Sequence, residues 1–133
     1  MARKRNDIRV FFCNQNDGFC RDVVKIDSTK TLDELYRLIG CRCVGHSVFV
    51  AKGVEYDLWY DGEFLFNEHP IASFLLGECA KGRCCPICGS WVVTKSDCEG
   101  RTIGLSVTDI RKLWQYTDIN SIQLKMAHIN KFF

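Results

Sequence analysis

No stretch of this chain approaches the roughly 18 consecutive apolar residues that a membrane-spanning helix needs, so the sequence predicts no such helix. It also lacks a strong charge of either sign: 18 Lys and Arg stand against 16 Asp and Glu, a net of +2. Three of those cations are Arg3, Lys4 and Arg5, and without them the balance is 15 against 16. The basicity is a tail, and nucleic acid is only weakly supported as a partner. No Gly-x-Gly-x-x-Gly, Walker loop or Gly-x-Ser-x-Gly occurs, so phosphate-loop and nucleophile-elbow mechanisms lack their residues. Internal repeats and low-complexity linkers are missing too.

What remains is an ordinary globular balance. Of 133 residues, 47% are apolar and 26% charged, which fits one folded domain. A chain of this length buries enough surface to fold without covalent staples, yet it carries nine cysteines. Nine is odd, so they do not all pair within one chain. The apolar run Ile8 to Cys13 behind the basic start is too short for a secretory signal and contains Arg9. A reduced compartment, the cytoplasm, is the expected setting, with cysteines as core fillers or metal ligands.

The pattern along the chain predicts an α+β fold. A mainly antiparallel sheet is built from hairpins, with two or three short helices and a C-terminal amphipathic segment. Residues 1–7 form the basic tail, 8–116 the domain, and 117–133 the appended segment. Strands are expected at Ile8–Cys13 and Phe19–Ile26 around the turn Asn14–Gly18, at Ser47–Val50, and at Tyr56–Tyr60. A further strand should return from Asp61-Gly62 through Glu63–Phe66, and others should cover Ile87–Thr94 and Arg101–Leu105. Thr31 and Glu34 have capping-box spacing for a helix that ends at Gly40. Pro70 predicts a short helix over Ile71–Leu76, and Ser106–Asp109 a capping box for one through Trp114. Ile119, Ile122, Met126, Ile129 and Phe133 recur at spacings of three and four. That spacing favours a helix for 117–133, although Ile122, Leu124 and Met126 also fit a strand.

Cys85-Pro86-Ile87-Cys88-Gly89 is the one cysteine pair with metal-ligand spacing. Structural zinc would need two more ligands, from Cys79, Cys84, Cys98, the Cys41/Cys43 pair or a histidine, and no second such pair exists. The first expectation is therefore no cofactor, with structural zinc on Cys85 and Cys88 as the alternative. For a ligand, Trp59 and Trp91 offer stacking surfaces, Arg83 and Arg101 phosphate contacts, and His69 a polar contact. Alternation along the strand turns Trp59 away from Leu58 and Tyr60, so the three do not share one core. No Cys–His pair or carboxylate pair has a catalytic signature, and the chain is expected not to be an enzyme.

Three ordered motifs carry a resemblance: His69-Pro70-Ile71-Ala72-Ser73-Phe74-Leu75-Leu76-Gly77, Pro86-Ile87-Cys88-Gly89-Ser90-Trp91-Val92-Val93 and Gly104-Leu105-Ser106-Val107-Thr108-Asp109-Ile110. Over residues 8 to 114 the chain resembles a domain-of-unknown-function family of small proteins encoded by bacteriophages, plasmids and conjugative elements. In that family Asn stands where this chain has His69, and an acid where it has Ser90. Its strand reads Ile-x-Gly without flanking cysteines, which makes Cys88 a tolerated strand position. The resemblance implies a phage or mobile-element setting. The expected function is then a non-catalytic binding protein that counters host defence. It would either sequester a small signalling nucleotide or occupy a host defence protein. The C-terminal segment suggests a homo-oligomer, and the alternative function is a zinc-stabilised nucleic-acid-binding module.

Overall fold

Along Asp7–Asn14 (β1) the apolar run Val10-Phe11-Phe12-Cys13 is buried on both sides, as expected of a strand covered on two faces. The computed structural model describes residues 6–64, 71–78 and 83–132, with the backbone alone at 78, 83–84 and 127–132. β1 turns through Gln15–Asp17 into Cys20–Asp27 (β2), and Gly18 takes the left-handed conformation that the turn requires, φ 68°. Helix α1 (Thr31–Ile39) follows, then a hairpin of Val44–Ala51 (β3) and Val54–Asp61 (β4). Ala72–Glu78 (β5) and Arg83–Cys88 (β6) pair as a separate two-stranded sheet. Trp91–Ser96 (β7) enters the centre of the main sheet, whose order is β2-β1-β7-β4-β3, antiparallel throughout. Thr102–Ile103 (β8) pairs with the end of β7, and Val107–Phe132 forms α2. The α+β expectation is met.

Each face of the main sheet has its own core. On one, Val10, Phe12, Ile26 and Val92 pack under Leu35 of α1. On the other, Phe11, Tyr56, Leu58, Trp91 and Val93 pack against Phe74 and Ile87 of the small sheet and Leu113 of α2. Leu58 and Tyr60 belong to this second face while Trp59 lies on the first, as alternation requires. None of the described helices is long and apolar enough to cross a membrane.

Four local expectations are corrected. Ile71–Leu76 is not a helix, because β5 occupies Ala72–Glu78 and its backbone pairs with β6, so long-range partners override the Pro/Gly punctuation. Ile87–Thr94 is not one strand. It breaks at Gly89 (φ 85°), which lets β6 and β7 serve different sheets. Thr31 and Glu34 form no capping box either. The Thr31 hydroxyl donates to Ser28 O (2.9 Å), and Glu34 accepts from the Asp27 backbone N–H (3.2 Å). After Asp61, the described Glu63 and Phe64 are turn rather than strand, and Leu65 and Phe66 lie outside the described residues. The second capping box does form: Ser106 N–H and Oγ each donate to Asp109 Oδ2 (2.9 Å), and Asp109 N–H donates back to Ser106 Oγ (3.1 Å). From there α2 runs unbroken, so the helix expected through Trp114 and the appended C-terminal segment are one element, and residues 117–132 are helix.

Candidate functional site

Between the β1–β2 turn, the start of β5 and α2 lies a cavity of about 350 Å³. Its lining mixes aromatic, aliphatic and polar groups. Trp91 and Phe19 supply rings, Ser73, Thr117 and Ser121 hydroxyls, and Arg21 and Lys125 positive charge. Asp118 contributes one carboxylate. Pairing of Cys13 with Arg21 across β1 and β2 puts both side chains on this face of the sheet.

Arg21 is the most constrained of these groups. One guanidinium nitrogen donates to Thr117 Oγ1 (2.5 Å) and Trp114 O (3.3 Å), the other pairs with Asp118 (2.7 Å), and the plane sits over the Trp114 ring at 4.4 Å. Arg21 thereby pins α2 to β2 and fixes the position of a positive charge at the cavity wall. Trp91 is locked in the same way, since its indole N–H donates to Ser73 O (3.3 Å). The Ser73 hydroxyl donates to Gly89 O (2.5 Å). Cys13 donates to Phe19 O (3.4 Å), and burial pushes its thiol up to about 12 despite the nearby Arg21 charge. At neutral pH it is a protonated thiol and not a nucleophile. No histidine lines this cavity, and beside the protonated Cys13 its described walls carry the Asp118 carboxylate, the Lys125 amine and the Ser121 hydroxyl.

A larger depression of about 490 Å³ lies where β1 begins and β2 ends, lined by Arg9, Lys25, Gly104 and Ser106 among others. Arg9 and Lys25 are direct neighbours across the strands. The Ser106 donors beside them are already taken by Asp109, so the depression adds two exposed cations and no aromatic surface.

A second polar cluster sits on the α1 face, beyond the helix. His46 Nε2 meets Asp57 Oδ1 at 2.9 Å, Ser96 donates to the other Asp57 oxygen, and His46 lies against the Trp59 ring at 4.4 Å. Serine and imidazole share one carboxylate rather than bonding to each other. No imidazole nitrogen bonds to the hydroxyl, so the three groups do not have the serine–histidine–aspartate order of a nucleophilic triad.

The residues expected from sequence to form one site do not all converge. Trp91 lines the cavity, but Trp59 faces the opposite side of the sheet, where its indole N–H donates to Thr94 Oγ1 (2.8 Å). Arg101 is exposed in a turn, bonded to Asp97 (3.0 Å) and Glu99 (2.9 Å). Arg83 stands in β6 with only its backbone described, and His69 lies outside the described residues. Cys85 and Cys88 lie on a strand rather than in a knuckle, Cys85 exposed and Cys88 buried. Burial, with a smaller push from Cys85, holds the Cys88 thiol above its ordinary range. Of the other proposed ligands, Cys79 lies outside the described residues and Cys84 shows its backbone only. Among the described residues no group of three or more His, Cys, Asp or Glu could hold a metal ion.

Arg21, Thr117, Ser121 and Lys125 were not legible as site residues. An arginine within a strand and hydroxyls within a helix have no local signature, and only the packing of α2 brings them together. The chain matches no family model, no curated protein and no solved structure.

Proposed function

We propose that this chain is a non-catalytic binding protein that takes a small anionic ligand with a planar ring, a nucleotide, into the cavity between β2, β5 and α2. One observation carries the reading: the cavity brings Lys125, the Ser121 hydroxyl and a guanidinium held in place by Thr117 and Asp118 together with aromatic and aliphatic surface. Arginine and hydroxyl donors suit phosphate oxygens, and rings suit a base. A volume of about 350 Å³ is near the lower end for ligand sites, which favours a mononucleotide-sized guest. The buried, protonated Cys13 and the lack of a histidine on the described walls favour holding over bond-making. The resemblance to phage and mobile-element proteins supplies the biological setting, in which sequestering a signalling nucleotide counters host defence.

A thermal-shift panel of linear and cyclic nucleotides tests this. A ligand at about 100 times its dissociation constant adds about 2.7 kcal/mol, a rise in Tm on the order of 10 °C for a chain of this length. Lys125→Glu should shrink the shift while leaving the Tm of the free protein nearly unchanged, because Lys125 is exposed. No shift with any nucleotide at millimolar concentration removes the nucleotide reading. A full shift retained in the variant moves the site elsewhere.

A further inference from the structure

α2 has one buried face and one exposed apolar face. Leu113, Thr117 and Asn120 are buried toward the domain, with Leu124 half-buried, at spacings of four, three and four. Two positions further along, about 200° around the helix, Ile119, Ile122 and Met126 run at spacings of three and four on the outer side. They are 55%, 61% and 58% exposed. The sequence carries that spacing on to Ile129 and Phe133. A helix bound only to its own domain has no use for such an outer ladder, because a solvated face is normally polar.

We propose that the outer face of α2 docks on the same face of a second copy of this chain, as a short two-helix seam. The spacing argues for this occupant. Apolar residues alternating at three and four are the a and d positions of a coiled coil, a pattern that complements itself across a two-fold axis. The seam begins only at Ile119. Its predecessors in the same register, Lys112 and Gln115, are polar, so the contact lies in the C-terminal half of the helix. Residues 115–126 hold one Asp and one Lys, Asp118 and Lys125. Arg111 and Lys112 lie before that segment and Lys131 after it, so flotation with anionic vesicles is what separates a membrane from a second copy. With Ile119, Ile122 and Met126 from each copy the contact is small, and a dissociation constant on the order of 1–100 µM is expected. The seam does not depend on what the cavity binds.

Sedimentation velocity of the full chain under reducing conditions, from 5 to 500 µM, is the test. The expected result is a concentration-dependent rise from the 15.3 kDa monomer to twice that mass. Ile122→Glu should remain monomeric throughout, with an unchanged circular dichroism spectrum, since it alters an exposed position. A monomer at every concentration overturns the proposal, as does a mass of three or more copies. A variant that dimerises as tightly as the parent overturns it too, by placing the interface elsewhere. Flotation of the chain with vesicles of phosphatidylserine and phosphatidylcholine, lost in Ile122→Glu, would give the face to a membrane and refute the second copy.

Discussion

Removing the side-chain amide of Asn120 should cost more stability than any substitution of similar size on the described part of α2. Asn120 Oδ1 accepts from the Leu75 backbone N–H (2.7 Å), and its Nδ2 donates to Leu75 O (2.6 Å). Both residues are buried, at 3% and 1% exposure. Leu75 faces Pro86 across the small sheet. In an antiparallel pair one residue's N–H and C=O point the same way. Since those of Leu75 point to Asn120, the Leu75–Pro86 position makes no ladder bonds. Pro86 therefore forfeits nothing by lacking an N–H, and the outer edge of β5 is closed by one amide instead of another strand.

Asn120→Ala strips partners from two buried backbone groups, at about 1–3 kcal/mol each. Roughly 0.5 kcal/mol returns from the better helix propensity of Ala. The net loss is about 1.5–5.5 kcal/mol, to be read by urea denaturation. Hydrogen exchange gives the specific signature: Leu75 N–H should lose protection in Asn120→Ala. It should keep protection in Asn120→Asp, which still accepts but no longer donates. Asn120→Ala within about 0.5 kcal/mol of the parent, with Leu75 still protected, would refute the reasoning.

Two further predictions rest on buried titratable groups. Burial alone would raise the Asp109 carboxyl, but bonds from Ser106 and Tyr56 (2.7 Å) and the Lys95 charge (3.5 Å) outweigh it and hold the pKa below its ordinary value. Its stabilising share is therefore present above about pH 4 and lost as pH falls through the folded value. Asp109→Asn should be less stable at pH 7 by about 1–3 kcal/mol. The gap to the parent should narrow by pH 2.5 in urea titrations, and a constant gap would contradict the shift. Cys13, titrating at about 12, should resist iodoacetamide at pH 8 in the native protein while exposed Cys20, Cys43 and Cys98 are modified. Peptide mapping by mass spectrometry distinguishes them, and early labelling of Cys13 would show that the cavity wall opens.

The elements legible in the sequence are those whose stability is decided nearby. β1, β2 and their turn announce themselves by β-branched and aromatic runs around Asp17-Gly18, α1 by its apolar spacing and Gly40, and the start of α2 by Ser106 and Asp109. β5 was not legible, because Pro70, Ala72 and Gly77 are ordinary punctuation for a short helix. What makes it a strand is β6 on one edge and Asn120, 45 residues away, on the other. The capping-box reading of Thr31 failed for a similar reason. Asp27 offers its own backbone N–H to Glu34, so the acid that would have capped the helix start ties it to β2 instead.

The site was harder to read than the fold because a strand reveals which residues share a face but not which face meets which partner. Alternation correctly separates Trp59 from Leu58 and Tyr60. It cannot reveal that Trp59 and Trp91, on adjacent strands, lie on opposite faces, since that depends on the register in which Trp59 faces Val92 and Tyr60 faces Trp91. Once this register is set, Trp91 joins Cys13 and Arg21 on the α2 side, and Trp59 joins His46 and Asp57 on the α1 side. Two aromatic residues that looked like one stacking platform become parts of two separate environments. The α2 side then gathers cations and hydroxyls contributed by β2, β5 and α2. A ligand held there would bridge all three elements, so binding should slow exchange at Leu75 and Thr117 together. Protection confined to one of them would place the ligand on a single element outside the cavity.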